Sequence, residues 1–119
     1  MKKILVTGCS GFIGMHLSKY LLNRSDNVLG IDNMNDYYSI HLKNARLKEL
    51  KDYDNFEFYK IDLCDLESLD KSFKDFNPDV VVNLAAQAGV RFSLINPNAY
   101  VESNIMGFMN VLQCCINNS

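Results

Sequence analysis

Val6-Thr7-Gly8-Cys9-Ser10-Gly11-Phe12-Ile13-Gly14 lies between a short apolar run and a stretch of helical periodicity. The preceding Ile4-Leu5-Val6 is a compact aliphatic run of the kind buried on both faces of a parallel sheet. Glycines then recur at 8, 11 and 14. Lacking Cβ atoms, Gly8 suits the tight bend, Gly11 lets a diphosphate approach the backbone, and Gly14 lets the following helix lie close against the strand. The free N–H groups at the start of the Phe12 to Leu22 helix would face that diphosphate with the positive end of the helix dipole. Candidate contacts in this turn are Gly8, Ser10, Gly11, Phe12, Ile13 and Gly14. The spacing is G-x-x-G-x-x-G, one residue wider than the commoner G-x-G-x-x-G, and a glycine triplet alone also suits a purely structural turn.

Downstream, Val28-Leu29-Gly30-Ile31-Asp32 reads as a second strand ending in a carboxylate. Its distance from the turn is near the roughly 20 residues expected for an acid that accepts the adenosine ribose hydroxyls. The same carboxylate would repel a 2′-phosphate, by about 4 kcal/mol for unit charges near 4 Å at an effective dielectric of 20. NAD is therefore favoured over NADP. Lys43 and Arg46 lie further on in the next helix and read as solvated surface charges; the alternative for Asp32 itself is a plain strand-end turn residue.

The remaining chain alternates strand and helix. After a polar, aromatic loop from Asp32 to Tyr38, residues Ser39 to about Asp52 read as an exposed helix, and Phe56 to Ile61 as a third strand closed by Asp62. Leu66, Leu69, Phe73 and Phe76 recur at helical spacing behind Asp65 as N-cap, and Asn77-Pro78-Asp79 ends that helix. Val80 to Ala86 reads as the most buried strand of the chain. Asn96-Pro97 opens the last helix, whose expected core-facing stripe is Val101, Ile105, Phe108 and Leu112. This is the α/β pattern of a doubly wound parallel sheet, about four strands in the order 3-2-1-4.

Ligands of such sheets bind outside the carboxyl ends of the strands, at the switch between the first and fourth. That brings the glycine turn, Asp32-Asn33, Asp62-Leu63 and Leu84-Ala85-Ala86-Gln87 to one crevice. Asp62 is a candidate acceptor for the adenine amino group or a turn acid; Ala85 and Ala86 either clear space for the cofactor or pack the core. Asn104, expected on the inward side of the last helix, either bridges to backbone near the cofactor or is a structural amide. Arg91 and Ser93 are candidates to meet an anionic substrate, with a surface ion pair as the alternative for Arg91. His16 and His41 lack a catalytic partner and read as surface residues.

Composition bounds the rest. With 119 residues, 48% of them hydrophobic and 22% charged, the chain forms one ordered domain over residues 1–119. A net charge of −2 without a basic stripe gives no footprint for nucleic acid. The apolar start stops after three residues, too short for a signal or a membrane span. Cys9, Cys64, Cys114 and Cys115 lack zinc-ligand spacing and read as reduced thiols of a cytoplasmic protein. Cys9 sits at a helix N-terminus, where a lowered pKa is one reading and a small tolerated side chain the plainer one.

Thr7-Gly8-x-x-Gly11-Phe12-Ile13-Gly14, Asp32-Asn33, Asp62-Leu63-x-Asp65 and Asn83-Leu84-Ala85-Ala86 together resemble the extended short-chain dehydrogenase/reductases, specifically their nucleotide-sugar epimerases and dehydratases. The resemblance covers essentially the whole chain and implies a Rossmann-like domain holding NAD. Ile31 to Tyr38 and Ala85 to Ser93 look most like UDP-glucuronate 4-epimerases, including capsule-biosynthesis homologues. Such enzymes would take the C4 hydride of a UDP-sugar and return it to the other face of a 4-keto intermediate, interconverting UDP-glucuronate and UDP-galacturonate. Another UDP- or dTDP-sugar epimerase, a 4,6-dehydratase, and a noncatalytic NAD-binding module are the alternatives.

The family uses a Tyr-x-x-x-Lys pair for proton transfer. Here Tyr20, Tyr37, Tyr38, Tyr53, Tyr59 and Tyr100 are followed four positions later by Arg24, His41, Leu42, Glu57, Leu63 and Asn104. The chain is thus expected to be the cofactor-binding N-terminal part of an epimerase, without catalytic residues or the sugar-binding part and inactive alone. Its Val80 to Ala86 edge, lacking a fifth strand, is expected to drive self-association, and a homodimer is expected.

Overall fold

The fold is described by a computed structural model over residues 1–35, 39–87 and 90–118. Asp36-Tyr37-Tyr38 and Ala88-Gly89, which contribute to the sequence resemblance, lie outside the described residues. Four strands, β1 (Lys3–Thr7), β2 (Asn27–Asp32), β3 (Phe56–Lys60) and β4 (Val80–Asn83), form one sheet in the order β3-β2-β1-β4. All three pairings are parallel, with Leu5 opposite both Leu29 and Val81. The crossovers are α1 (Phe12–Asn23), α2 (Ile40–Lys51) and α3 (Leu66–Phe76). After β4 a 3₁₀ turn (Val90–Leu94) leads to α4 (Pro97–Tyr100), a π-helical turn (Val101–Met106) and α5 (Gly107–Asn117).

Alternation along β1 creates two cores. Ile4 and Val6 point to one face with Val28, against Met15, Leu21 and Leu22 of α1 and Leu47 and Leu50 of α2. Leu5, Leu29 and Ile31 point to the other, against Leu69 and Phe73 of α3 and Val111 and Cys114 of α5. Leu5, Leu29, Leu69 and Phe73 are essentially inaccessible, and each such side chain stabilises the fold by about 1.5–3 kcal/mol through burial.

Helix starts follow local chemistry. Ser39 Oγ accepts from Leu42 N at 3.4 Å, Asp65 Oδ1 from Ser68 N at 3.2 Å, and Asn96 Oδ1 from Ala99 N at 3.2 Å. Asn77, in the left-handed region at φ 53°, ends α3.

Two expectations fail. The strand after Pro78 stops at Asn83 and is not the most buried: Val80 is 38% exposed and Val81 to Asn83 are half-buried, whereas Val28 and Leu29 of β2 are inaccessible. Its run of valines pairs with β1 alone among the described residues, so it is a sheet edge. The last helix is also turned from its expected orientation, with Val101, Ile105, Phe108 and Leu112 all between 41 and 56% exposed and Gly107, Val111 and Cys114 facing the core. A π-helical turn precedes α5, where Gly107 N donates to Glu102 O, five residues back, and α5 packs on α3 through Val111 and Cys114.

Candidate functional site

The glycine turn is built by two close approaches. Gly8 has φ +72°, and a Cβ there would stand 2.9 Å from Ala85 N. At Gly14 a Cβ would stand 2.0 Å from the Gly8 carbonyl oxygen, so α1 can rest on the turn only without a side chain at that position. The start of α1 also differs from those of α2, α3 and α4. Its N-cap is Gly11, and no side chain caps it. The first-turn N–H groups are therefore left for a ligand, and the helix dipole makes an anion the favoured one. Phe12 and Ile13 supply backbone to this turn while their side chains are 66% and 67% exposed.

Opposite the turn, Asp32 ends β2 almost fully buried. Its Oδ2 accepts from Ser10 N at 3.3 Å and its Oδ1 from Met34 N at 2.8 Å. Lys43 Nζ lies 3.5 Å from the same Oδ1 and donates to Asn35 Oδ1 at 3.2 Å. Lys43 is therefore a buried pocket residue, correcting its expected place on the solvated surface. Arg46 is likewise held in, donating from Nη1 to Ser10 O at 3.3 Å, with its guanidinium 5.8 Å from the Phe12 ring centroid. The spacing 43-47-50 could have revealed this, because Lys43 stands on the same helical stripe as the buried Leu47 and Leu50.

A second wall is set by Thr7, wholly buried at the end of β1. Its hydroxyl donates to Asn83 Oδ1 and accepts from Leu84 N at 3.1 Å and Ala85 N at 3.2 Å. One side chain thus holds the chain leaving β4 against the strand that feeds the glycine turn. Further out, Asn104 Oδ1 accepts from Gln87 N at 2.8 Å and its Nδ2 donates to Gln87 O at 3.2 Å. Asn104 is an exposed residue of the π-helical turn, not one on the inward face, and it clamps the backbone of the buried Gln87. Asp62 Oδ1 accepts from Cys64 N at 2.9 Å, a local turn that leaves its other oxygen available.

Gly8, Gly11, Asp32, Asn33, Asp62, Leu63, Leu84, Ala85, Ala86 and Gln87 line one crevice at the carboxyl ends of the strands, together with Ile31, Asn35, Lys43, Ile61 and Ser103. Sequence reading missed these last five. Ser10 and Gly14 support the crevice from behind. Arg91 is exposed, and neither it nor Ser93 forms part of this wall. Burial, then the Asp32 charge, push the Cys9 thiol upward, which removes the reading of a thiol activated by the helix N-terminus. His16 and His41 are exposed, as expected. Among the described residues no group of His, Cys, Asp or Glu is arranged to hold a metal, and no helix is long and apolar enough to cross a membrane.

A parallel sheet in the order 3-2-1-4, a glycine turn entering an uncapped helix and a buried acid at the end of β2 define a Rossmann-like nucleotide-binding domain. The chain belongs to the family described as GDP-mannose 4,6 dehydratase, which it matches over residues 5–119. Protein CapI of Staphylococcus aureus is 54% identical over 112 residues, 94% of this chain and 33% of that protein. A UDP-glucuronate 4-epimerase of Thermodesulfobacterium geofontis is 49% identical over 109 residues, 92% of this chain and 34% of that one. Among solved structures, UDP-glucuronic acid 4-epimerase of Bacillus cereus in complex with UDP-glucuronic acid and NAD superposes with a TM-score of 0.84 at 39% identity, covering 95% of this chain and 36% of that one. The chain spans about a third of the length of these relatives.

Proposed function

We propose that this chain is the NAD-binding part of a UDP-sugar 4-epimerase that interconverts UDP-glucuronate and UDP-galacturonate. The observation that carries the reading is the uncapped start of α1 facing a buried carboxylate across one crevice. The residues present fit NAD. Gly8 and Gly14 leave the space that side chains would fill, the first-turn N–H groups of α1 suit the diphosphate, and Asp32 suits the adenosine ribose. NAD supplies a hydride acceptor and donor for the sugar C4.

The chain's own residues bind and orient. Gly8, Ser10, Gly11, Phe12, Ile13 and Gly14 form the diphosphate turn; Asp32 and Asn33 hold the ribose; Asp62 and Leu63 border the adenine. Leu84 to Gln87, secured by Thr7 and Asn104, form the wall beside the nicotinamide. Arg91 and Ser93 belong to the sugar side. The relatives with this activity support the choice of UDP-glucuronate. The family's own description favours a 4,6-dehydratase as the second reading. Four unpaired cysteines support a reducing, cytoplasmic setting.

Calorimetric titration with NAD tests the binding role, with saturable one-site binding that Asp32→Ala abolishes as the expected result. Absence of binding by the folded protein refutes it. Incubation of the parent enzyme with UDP-glucuronate then separates the chemistries, since epimerisation yields UDP-galacturonate and 4,6-dehydration does not.

A further inference from the structure

Asp32 does not meet a ribose as an unencumbered carboxylate. An ionised carboxylate has about four lone-pair sites. Ser10 N, Met34 N and Lys43 Nζ already take three of them. Among the described residues that leaves one, which is enough for one ribose hydroxyl. Lys43 carries three protons, two of them directed to Asp32 and Asn35, and its side chain is only 10% exposed. Among the described residues no acceptor meets the third proton, which can therefore meet a second oxygen at the same end of the crevice. The ammonium also cancels most of the charge with which Asp32 alone would repel a phosphate, and the Arg46 guanidinium adds positive charge at the Ser10 carbonyl beside it.

We infer that Lys43 is the specificity-determining residue for the adenosine 2′ position, and that it makes this crevice accept a 2′-phosphorylated dinucleotide as well as NAD. Lys43 donates to the 2′ oxygen of NAD and serves as counter-ion to the 2′-phosphate of NADP, releasing Asp32 to its backbone donors. This inference rests on the crevice being the dinucleotide site proposed above.

The test is the ratio of the dissociation constants of NADP and NAD, measured by calorimetry on the wild-type protein and on Lys43→Met and Lys43→Arg. The wild-type ratio is expected within about thirtyfold, rising at least about tenfold in Lys43→Met and changing little in Lys43→Arg. A Lys43→Met ratio equal to wild type, or a wild-type ratio above about a thousandfold, overturns the inference while leaving NAD binding intact. Failure of both dinucleotides to bind the folded wild-type protein overturns the site itself. Should Lys43→Met fail to fold, the salt dependence of the wild-type protein decides: NADP affinity falling more steeply than NAD affinity supports the inference, and parallel slopes refute it.

Discussion

Thr7→Val changes almost no volume and removes one hydroxyl that three groups share. The lost contacts are the hydrogen bonds with Asn83 Oδ1, Leu84 N and Ala85 N. Leu84 N keeps the Thr7 carbonyl at 3.3 Å as a second acceptor, so Ala85 N is the donor left without one. An unsatisfied donor costs about 1–3 kcal/mol, and Ala85 is half-buried, which puts the loss toward the lower end. Adding the weakened Asn83 contact, the total is about 2 kcal/mol. For a domain of this length that lowers Tm by roughly 6–12 °C. The control is Thr7→Ser, which keeps the hydroxyl and gives up only a methyl, at a cost of about 1 kcal/mol. Thermal melts followed by circular dichroism, paired with NAD titrations, distinguish the two. Valine should lose both stability and cofactor affinity, because the Leu84-Ala85 wall comes loose; serine should keep the affinity. A valine variant melting within about 2 °C of wild type, or serine and valine variants binding NAD equally weakly, would refute the role given to this hydroxyl.

Gly14→Ala places a methyl 2.0 Å from the Gly8 carbonyl oxygen; despite alanine's better helix propensity it should destabilise by about 1–3 kcal/mol and weaken NAD at least about tenfold, read by melting and titration. Iodoacetamide with mass-spectrometric mapping should label the exposed Cys64 in the native protein and spare Cys9, which is buried and held neutral. Because burial raises the Cys9 pKa above its ordinary 9.0, the stability it contributes is full at neutral pH and lost as pH climbs past that value, so Cys9→Ala should flatten the alkaline limb of a stability–pH curve. Asp65 and Asp70 behave in the opposite sense. Hydrogen bonds from Ser68 hold Asp65 below its ordinary 3.8, and bonds from Lys74 and Asn118 do the same for Asp70. Their contribution is present above that value and disappears as pH falls below it, and Asp65→Asn together with Asp70→Asn should lessen the acid-side decline in urea melts.

The parts of the molecule legible in the sequence are those where one residue type has a single physical use. Gly8 and Gly14 announce the turn because a Cβ at either would stand against backbone, 2.9 Å from Ala85 N and 2.0 Å from the Gly8 carbonyl oxygen. Asp65, Asn96 and Asn77 announce helix ends through their own short side chains. Alternating strand and helix then fixes the sheet order through the handedness of crossovers. What stayed hidden depends on relations between segments. The valines of β4 read as deeply buried on their hydrophobicity alone, although the order 3-2-1-4 already places that strand at the end of the sheet. Lys43 read as surface because charge outweighed its place beside Leu47 and Leu50 on one helical stripe. The last helix has apolar residues on more than one face, so either Val101-Ile105-Phe108-Leu112 or Gly107-Val111-Cys114 satisfies the period. The choice between them was made by packing against α3, which no local pattern signals.

The π-helical turn before α5 makes this stretch tolerant of one lost residue. Deleting one residue between Val101 and Met106 would let the backbone return to regular α-helical bonding, and because the wide turn already absorbs the extra residue, α5 would keep its phase. Val111 and Cys114 would stay against Leu69 and Phe73, whereas Asn104, inside the turn, would shift relative to Gln87. The hydrophobic seam and the amide clamp are thus separable: a single-codon loss here would leave a sound helix packed on α3 and a loosened mouth of the crevice.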